Sequence, residues 1–177
     1  MTIRKLISFP SRCIAALMLG ATLTANTAPL EPLQLRTLAI HNEQRAMLGI
    51  AGLRWDPKLA EDAAIWAKHL AALGHLEHSP DDLGDPDPEG ENLWAGTAGS
   101  FSIEQMSTYW ADEKRYYKNG IFPNNSTTGD LDDVGHYTQM VWRSTTRVGC
   151  ATIRGAKDDF FVCRYGEGGN VLGERPY

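Results

Sequence analysis

The most informative segment of the chain lies at residues 135–145 and reads GHYTQMVWRST. The apolar residues after the glycine predict one or two helical turns over His136 to Arg143. His136 is not part of a two-histidine helical zinc motif, and an isolated histidine is more often a structural hydrogen-bonding residue than a ligand. The segment therefore marks His136 as a candidate functional residue without assigning its chemistry.

Two short β-like runs follow this segment, Val148 to Ile153 and Phe160 to Tyr165, and polar residues join them. If the runs form an antiparallel hairpin, Cys150 and Cys163 can lie opposite each other. A disulfide across this pair stabilises the fold by about 2–3 kcal/mol in the loop-entropy description. Two free thiols are the alternative, which an oxidising compartment disfavours. We therefore expect a disulfide-linked hairpin near the C-terminus.

Three helices are predicted on the N-terminal side of this segment. Residues 31–48 show apolar positions at helical spacing. Asp56 is the N-cap of a second helix with one apolar stripe. Ser102 opens a third helix with a capping-box pattern, and the stripe of this helix places Glu113 at an inward-facing position. Residues 79–90, between the second and third helices, contain three Pro and two Gly and predict an acidic loop.

Charge and composition exclude several classes of protein. The chain has 17 Lys and Arg against 22 Asp and Glu, a formal net charge of −5. Binding to phosphate backbones needs a basic face, so we expect no nucleic-acid partner. The hydrophobic fraction of 42% is too high for a disordered chain. These counts predict a folded domain that does not bind nucleic acid.

The first 28 residues, 1–28, read as a secretory signal peptide. A basic region that ends at Arg12 precedes an apolar run, Ile14 to Leu23, which is too short to span a bilayer. An uncleaved anchor is the alternative. Residues 29–177 then form a single domain with 14 basic and 22 acidic residues, a formal charge of −8. We expect a secreted or periplasmic protein with no transmembrane segment after signal cleavage.

Residues 135–145 closely resemble the first signature of the CAP superfamily, which comprises cysteine-rich secretory proteins, antigen 5 and pathogenesis-related group-one proteins and is also called the SCP domain. Further motifs agree in the same order: His41-Asn42-x-x-Arg45, Leu53-Arg54-Trp55-Asp56, His78-Ser79-Pro80, Gly90-Glu91-Asn92-Leu93, Val148-Gly149-Cys150 and Phe161-Val162-Cys163-Arg164-Tyr165. The resemblance spans roughly residues 35–177. It implies an α/β fold, an α-β-α sandwich in which a small antiparallel sheet lies between helical layers.

The resemblance also implies a cleft lined by two histidines and two glutamates, which are His78, Glu91, Glu113 and His136. Two imidazoles, those of His78 and His136, can bind zinc or another divalent cation and leave coordination positions open for water. The two carboxylates would orient the rings or act as ligands through water. The inward-facing position of Glu113 on its helical stripe supports the same assignment independently.

Three roles compete for this cleft. The first is a metal site beside a binding surface for an extracellular protein partner or a small hydrophobic ligand, since similar proteins bind sterols, fatty acids or other lipids. The second is a metal-dependent hydrolase, a peptidase or esterase, with Glu91 or Glu113 as general base or with Ser79 as the nucleophile. The third is a structural hydrogen-bond network. We expect a binding protein rather than an enzyme, because nothing in the sequence sets an oxyanion hole beside Ser79.

An aromatic segment follows the third predicted helix. Sterol-binding relatives use an aromatic loop at this place, which Tyr116, Tyr117 and Phe122 partly resemble, although Arg115 stands where that pattern has another aromatic. Ordinary packing in the core or at its rim is the alternative explanation for these rings. The three aromatics are therefore candidates for a ligand-binding loop.

Overall fold

The structure, a computed structural model, describes residues 32–80 and 88–177. The predicted signal peptide and the central part of the predicted acidic loop lie outside the described residues. The elements follow in this order: α1 (Pro32–Met47), β1 (Arg54–Trp55), α2 (Pro57–Leu73), β2 (Gly90–Thr97), α3 (Ile103–Asp112), a 3-10 turn (Glu113–Arg115), α4 (Gly135–Met140), β3 (Arg147–Arg154) and β4 (Asp158–Gly166). No helix in the described ranges is long and apolar enough to cross a membrane.

The predicted helix termini are confirmed by their capping contacts. The Asp56 side chain accepts hydrogen bonds from two main-chain N–H groups in the first turn of α2. At the other end of α2, Gly74 has φ 80°, a left-handed conformation that glycine adopts without steric cost. Ser102 and Gln105 form a reciprocal capping box at the start of α3. Local sequence therefore sets where α2 and α3 begin.

The four strands form one sheet in the order β1-β3-β4-β2. β3 and β4 are antiparallel with Cys150 opposite Cys163, and the predicted disulfide joins these two residues. β2 pairs antiparallel with β4 along its whole length, from Gly90 to Thr97, and the sequence analysis did not predict this strand. β1 pairs with β3 in parallel over two residues only. The sheet is therefore antiparallel except for one short edge strand.

Alternating residues of β4 separate the two cores of the protein. Phe161, Cys163 and Tyr165 point to the side where α1, α3 and α4 pack, and each is buried. Phe160 and Val162 point to the opposite side, where they contact the apolar stripe of α2. Because strand side chains alternate between faces, one strand contributes to both helical layers. This arrangement confirms the predicted α-β-α sandwich.

Removal of the hairpin disulfide provides a direct test of its contribution to stability. We expect the double variant Cys150→Ala/Cys163→Ala to lose about 2–3 kcal/mol of unfolding free energy, because the cross-link closes a short loop and limits the unfolded chain. Urea unfolding of the variant and of the wild type checks this value. Reduction of the wild-type protein should lower the urea concentration at the midpoint of unfolding about as much as the double substitution does. An unchanged midpoint in both experiments would contradict the prediction.

Candidate functional site

Four segments that are distant in sequence supply the cleft residues proposed from the resemblance. His78 follows α2, Glu91 lies in β2, Glu113 opens the 3-10 turn after α3, and His136 is the second residue of α4. The structure places them as two histidine–carboxylate pairs. In each pair the carboxylate oxygen faces Nδ1 of the ring, at 2.7 Å for Glu91 and 2.6 Å for Glu113.

Glu91 is the buried partner in the first pair, which it forms with the exposed ring of His78. Its Oε1 accepts hydrogen bonds from Nδ1 of His78 at 2.7 Å and from the main-chain N–H of Ser79 at 3.1 Å. Its Oε2 lies 2.9 Å from Nη2 of Arg164, and only 7% of its side chain is exposed. The carboxylate raises the pKa of His78 above its ordinary value because it accepts a hydrogen bond from the ring.

Glu113 holds the second pair in the same way. Its Oε1 accepts a hydrogen bond from Nδ1 of His136 at 2.6 Å, and its Oε2 accepts one from the main-chain N–H of Tyr137 at 3.0 Å. The His136 ring also stacks on Trp110, with centroids 6.0 Å apart and an interplanar angle of 14°. Carboxylate and indole together fix the ring plane, so Nε2 of His136 has a defined direction.

Both histidines line one cavity of about 500 Å³, which also contacts Glu91, Asn92 and Phe122. Ligand pockets in proteins commonly have volumes of about 300–1,000 Å³. Asn170 forms part of the cavity wall in a left-handed conformation, with φ 58°. Its amide donates a hydrogen bond to the carbonyl of Gly135, which ties the C-terminal tail to the start of α4. The cavity is large enough for a small ligand.

A buried hydrogen-bond chain reaches the cleft from α1, and the sequence analysis assigned it no role. Asn92 donates one hydrogen bond to the main-chain carbonyl of His136 and another to the hydroxyl of Tyr165, both at 3.1 Å. The Tyr165 hydroxyl contacts Nε2 of His41 at 2.8 Å, and Nδ1 of His41 donates to the carbonyl of Thr37 at 2.8 Å. The signal in the sequence was the position of His41 and Asn92 within the quoted motifs.

His78 and His136 are the cleft residues that could hold a divalent cation, in a site with an incomplete protein shell. Within residues 32–80 and 88–177 no group of three or more His, Cys, Asp or Glu side chains is arranged to hold a metal ion. His78 and His136 each direct Nδ1 at a carboxylate, and this contact orients metal-binding histidines in many metal sites. The two Nε2 atoms are then the nitrogens that would contact an ion, and water or ligand would supply the remaining positions.

The remaining candidate residues occupy different environments. Ser79 directs its main-chain N–H to Glu91. Tyr116 is 36% exposed and lies under the guanidinium of Arg115, whereas Tyr117 packs against other tyrosine rings. Phe122 is buried and lines the cleft. The three ligand-loop candidates therefore do not form one exposed aromatic surface.

The three-layer sandwich, the hairpin disulfide and the two histidine–glutamate pairs define an α-β-α domain of the CAP type. The family model described as the cysteine-rich secretory protein family, CAP, matches residues 38–165. The match covers more than half of the chain, and the chain belongs to this family. Membership supports a secreted CAP-domain protein.

Several plant pathogenesis-related proteins are relatives of this chain. The chain is 38% identical over 138 residues to pathogenesis-related protein PR-1 of Medicago truncatula, covering 77% of this chain and 74% of that protein. It is 33% identical over 172 residues to pathogenesis-related leaf protein 4 of Solanum lycopersicum, covering 97% of both. The second alignment extends over almost the whole length of both chains.

Solved structures of other proteins share the fold. A crystal structure of NaASP2 with Zn²⁺ superimposes with a TM-score of 0.70 at 23% identity, over 84% of this chain and 86% of that one. Venom allergen-like protein 4 of Schistosoma mansoni superimposes with a TM-score of 0.62 at 25% identity, over 84% of this chain and 95% of that one. Both superpositions support the three-layer architecture.

Proposed function

We propose that this secreted CAP-domain protein binds a divalent cation through Nε2 of His78 and His136 and an extracellular ligand in the cavity beside them. The observation that carries the proposal is the pair of carboxylate–histidine contacts, at 2.7 and 2.6 Å, whose rings line one cavity. A carboxylate that accepts a hydrogen bond from Nδ1–H of a neutral imidazole leaves the lone pair of Nε2 free to bind a metal. When bound, the ion supplies a Lewis-acidic centre with open coordination positions.

The same geometry favours binding over hydrolysis. A general base needs a carboxylate oxygen that is free to accept a proton from water. Glu113 uses both oxygens, one for His136 and one for the main-chain N–H of Tyr137. Oε1 of Glu91 accepts two hydrogen bonds, and its Oε2 forms an ion pair with Arg164. A proton taken from water would compete with these contacts for the carboxylate lone pairs. A screen of peptide and ester substrates with and without chelator tests this alternative.

The ligand class that we propose is a small hydrophobic or amphipathic molecule, such as a sterol or a fatty acid. The lining of the cavity includes the apolar residues Phe122 and Leu131 and the polar residues Asn92 and Asn170. Such a mixed lining suits a molecule with an apolar body and one polar end. Extraction of the purified protein and analysis of its lipid content should detect this ligand. A cavity that retains no lipid and does not bind added sterol or fatty acid would contradict the proposal.

Zinc titration tests the metal site. We expect His78→Ala/His136→Ala to bind Zn²⁺ at least about tenfold more weakly than the wild type, because it removes both nitrogen donors. Glu113→Gln should weaken binding less, since it keeps the ring but changes the group that orients it. Isothermal titration calorimetry on metal-free protein measures both effects.

A second pair of histidines provides the matched control for this experiment. His69 and His75 both lie beside Glu77 and outside the cleft. The double variant His69→Ala/His75→Ala removes the same number of imidazoles, so it should bind Zn²⁺ as the wild type does. If instead this variant loses the ion and the cleft variant keeps it, the proposed metal site is wrong.

A further inference from the structure

A second cavity, which we call the aromatic pocket, opens beside the cleft. It has a volume of about 320 Å³, and its lining includes Trp94, Tyr109, Trp110 and Tyr116 together with His136. Tyr109 is 55% exposed and Tyr116 is 36% exposed, although both are large aromatic residues. Aromatic side chains usually bury most of their surface, so two exposed rings beside one small cavity indicate a binding surface.

The charges around the aromatic pocket are mainly negative. Glu113, Asp132 and Asp133 all line it. Glu113 accepts a hydrogen bond from the ring of His136, and Asp133 accepts one from the hydroxyl of Thr128 at 2.6 Å. Asp132 lines both the aromatic pocket and the cleft. A cavity with aromatic walls and carboxylates at its edge attracts a cation through both the ring faces and the acidic charge.

The protein itself places a cation on one of these rings. The guanidinium carbon of Arg115 lies 5.0 Å from the ring centroid of Tyr116, within the range of a cation–π contact. Arg115 is exposed and long, so its side chain can leave the ring at small cost in free energy. Arg115 therefore acts as an internal competitor for the position that a cationic ligand would take.

We propose that the aromatic pocket binds a quaternary ammonium group. A methylated ammonium group is weakly hydrated and matches aromatic faces, as in the aromatic cages that hold choline and methyl-lysine. Leu76, Leu93 and Ala95 complete the lining and give the methyl groups apolar contacts. A strongly hydrated primary ammonium would lose more solvation on such a surface. The aromatic pocket shares Asp132 and His136 with the cleft. The inference nevertheless goes beyond the proposed function, because the ammonium group needs neither His78 nor a metal ion.

Choline and its neutral carbon isostere, in which a tert-butyl group replaces the trimethylammonium group, test the proposal with the full mature chain. We expect choline to bind about tenfold more tightly than the isostere, because only the charge differs between them. Tryptophan fluorescence or calorimetry on metal-free protein measures both affinities. Equal affinity for the two compounds, or no binding of choline, would overturn the proposal.

Variants of Tyr116 and Arg115 separate a cation–π site from a merely apolar one. Tyr116→Leu should lower choline affinity about tenfold, whereas Tyr116→Phe should keep it, because the ring face is retained. Arg115→Gln should raise choline affinity several-fold, because the internal competitor is removed. If Arg115→Gln weakens binding instead, the pocket uses Arg115 as a donor and the proposal is wrong. Circular dichroism checks that each variant is folded.

Two further arms identify the source of the ammonium group and separate this proposal from the metal site. Sedimentation with phosphatidylcholine vesicles, compared with phosphatidylglycerol vesicles, shows whether the group belongs to a lipid headgroup. Choline binding without vesicle binding assigns the ammonium group to a free compound. Either result supports the proposal if Tyr116→Leu weakens the binding about tenfold. The variant His78→Ala should keep choline binding, since His78 lies outside the aromatic pocket, even though it weakens zinc binding.

Discussion

Replacement of Arg45 by methionine is expected to lower the free energy of unfolding by about 3–5 kcal/mol. Arg45 is 1% exposed, and its guanidinium contacts four main-chain carbonyls in two segments, at residue 51 and at residues 140–145. Its Nε donates to Ala51 at 2.6 Å, Nη1 donates to Met140 and Trp142 at 3.1 and 2.8 Å, and Nη2 donates to Thr145 at 2.9 Å. One side chain therefore ties the end of α1 to the segments around α4.

The size of the effect follows from the carbonyls that would lose their donor. A buried acceptor without a partner costs about 1–3 kcal/mol, and methionine can fill part of the space but cannot donate. Burial lowers the pKa of Arg45 to about 10, so the guanidinium is charged at neutral pH and its burial has a cost of its own. Methionine removes that cost, which is why we expect less than the sum of the four lost hydrogen bonds.

An exposed arginine of the same helix provides the control. Arg36 lies in α1, and its Nε is 3.3 Å from a carboxylate oxygen of Glu104 on the surface. Exposed ion pairs contribute about 0–1 kcal/mol, so Arg36→Met should change the stability little. Urea unfolding of both variants compares them directly. A loss for Arg45→Met within about 1 kcal/mol of that for Arg36→Met would show that the buried guanidinium is not needed for stability.

The sequence predicted the elements whose signals are local. Asp56 and Ser102 mark helix starts because their side chains cap nearby N–H groups, and such contacts involve only a few residues. The β3–β4 hairpin was predictable because its apolar alternation and its two cysteines agree on one register. β2 was missed because Gly90, Asn92 and Gly96 give it little strand propensity. Its pairing with β4 comes from tertiary structure.

The candidate site could be predicted only as a set of residues. The resemblance proposed His78, Glu91, Glu113 and His136, and the structure shows which carboxylate faces which ring. That pairing depends on how α3, α4 and β2 meet, which no local pattern specifies. The role of Arg45 was unpredictable for the same reason, because three of its four acceptors lie about a hundred residues further along the chain. Long-range contacts of this kind follow from the fold as a whole.

A second large effect is expected on acidification. The unfolding free energy should fall by about 2 kcal/mol between pH 7 and pH 5 because of His41 alone. His41 is fully buried, and burial lowers its pKa from 6.5 to about 4, while the nearby charge of Arg45 acts in the same direction and the hydrogen bond to Thr37 acts against it. The ring is therefore neutral in the folded protein at pH 5.

The sign of the effect follows from which state binds the proton. Above pH 6.5, His41 is neutral in both the folded and the unfolded chain, so it does not alter the stability. Between pH 6.5 and pH 4 the unfolded chain takes up a proton at His41 and the folded chain does not, so stability is lost as the pH falls. His78 acts in the opposite direction, because its pKa is raised in the folded state, but its exposure keeps that contribution small.

Chemical denaturation at several pH values between 7 and 5 tests this expectation. In His41→Gln the pH-dependent loss should shrink by about 2 kcal/mol, although the variant is less stable at every pH because the contacts to Thr37 and Tyr165 change. His75→Gln, which changes an exposed ring, should keep the wild-type slope. If the unfolding free energy of wild type and His41→Gln changes equally with pH, the folded protein takes up a proton at His41 as easily as the unfolded chain does. The hydrogen-bond chain from α1 through Tyr165 to the cleft could then not depend on a neutral ring.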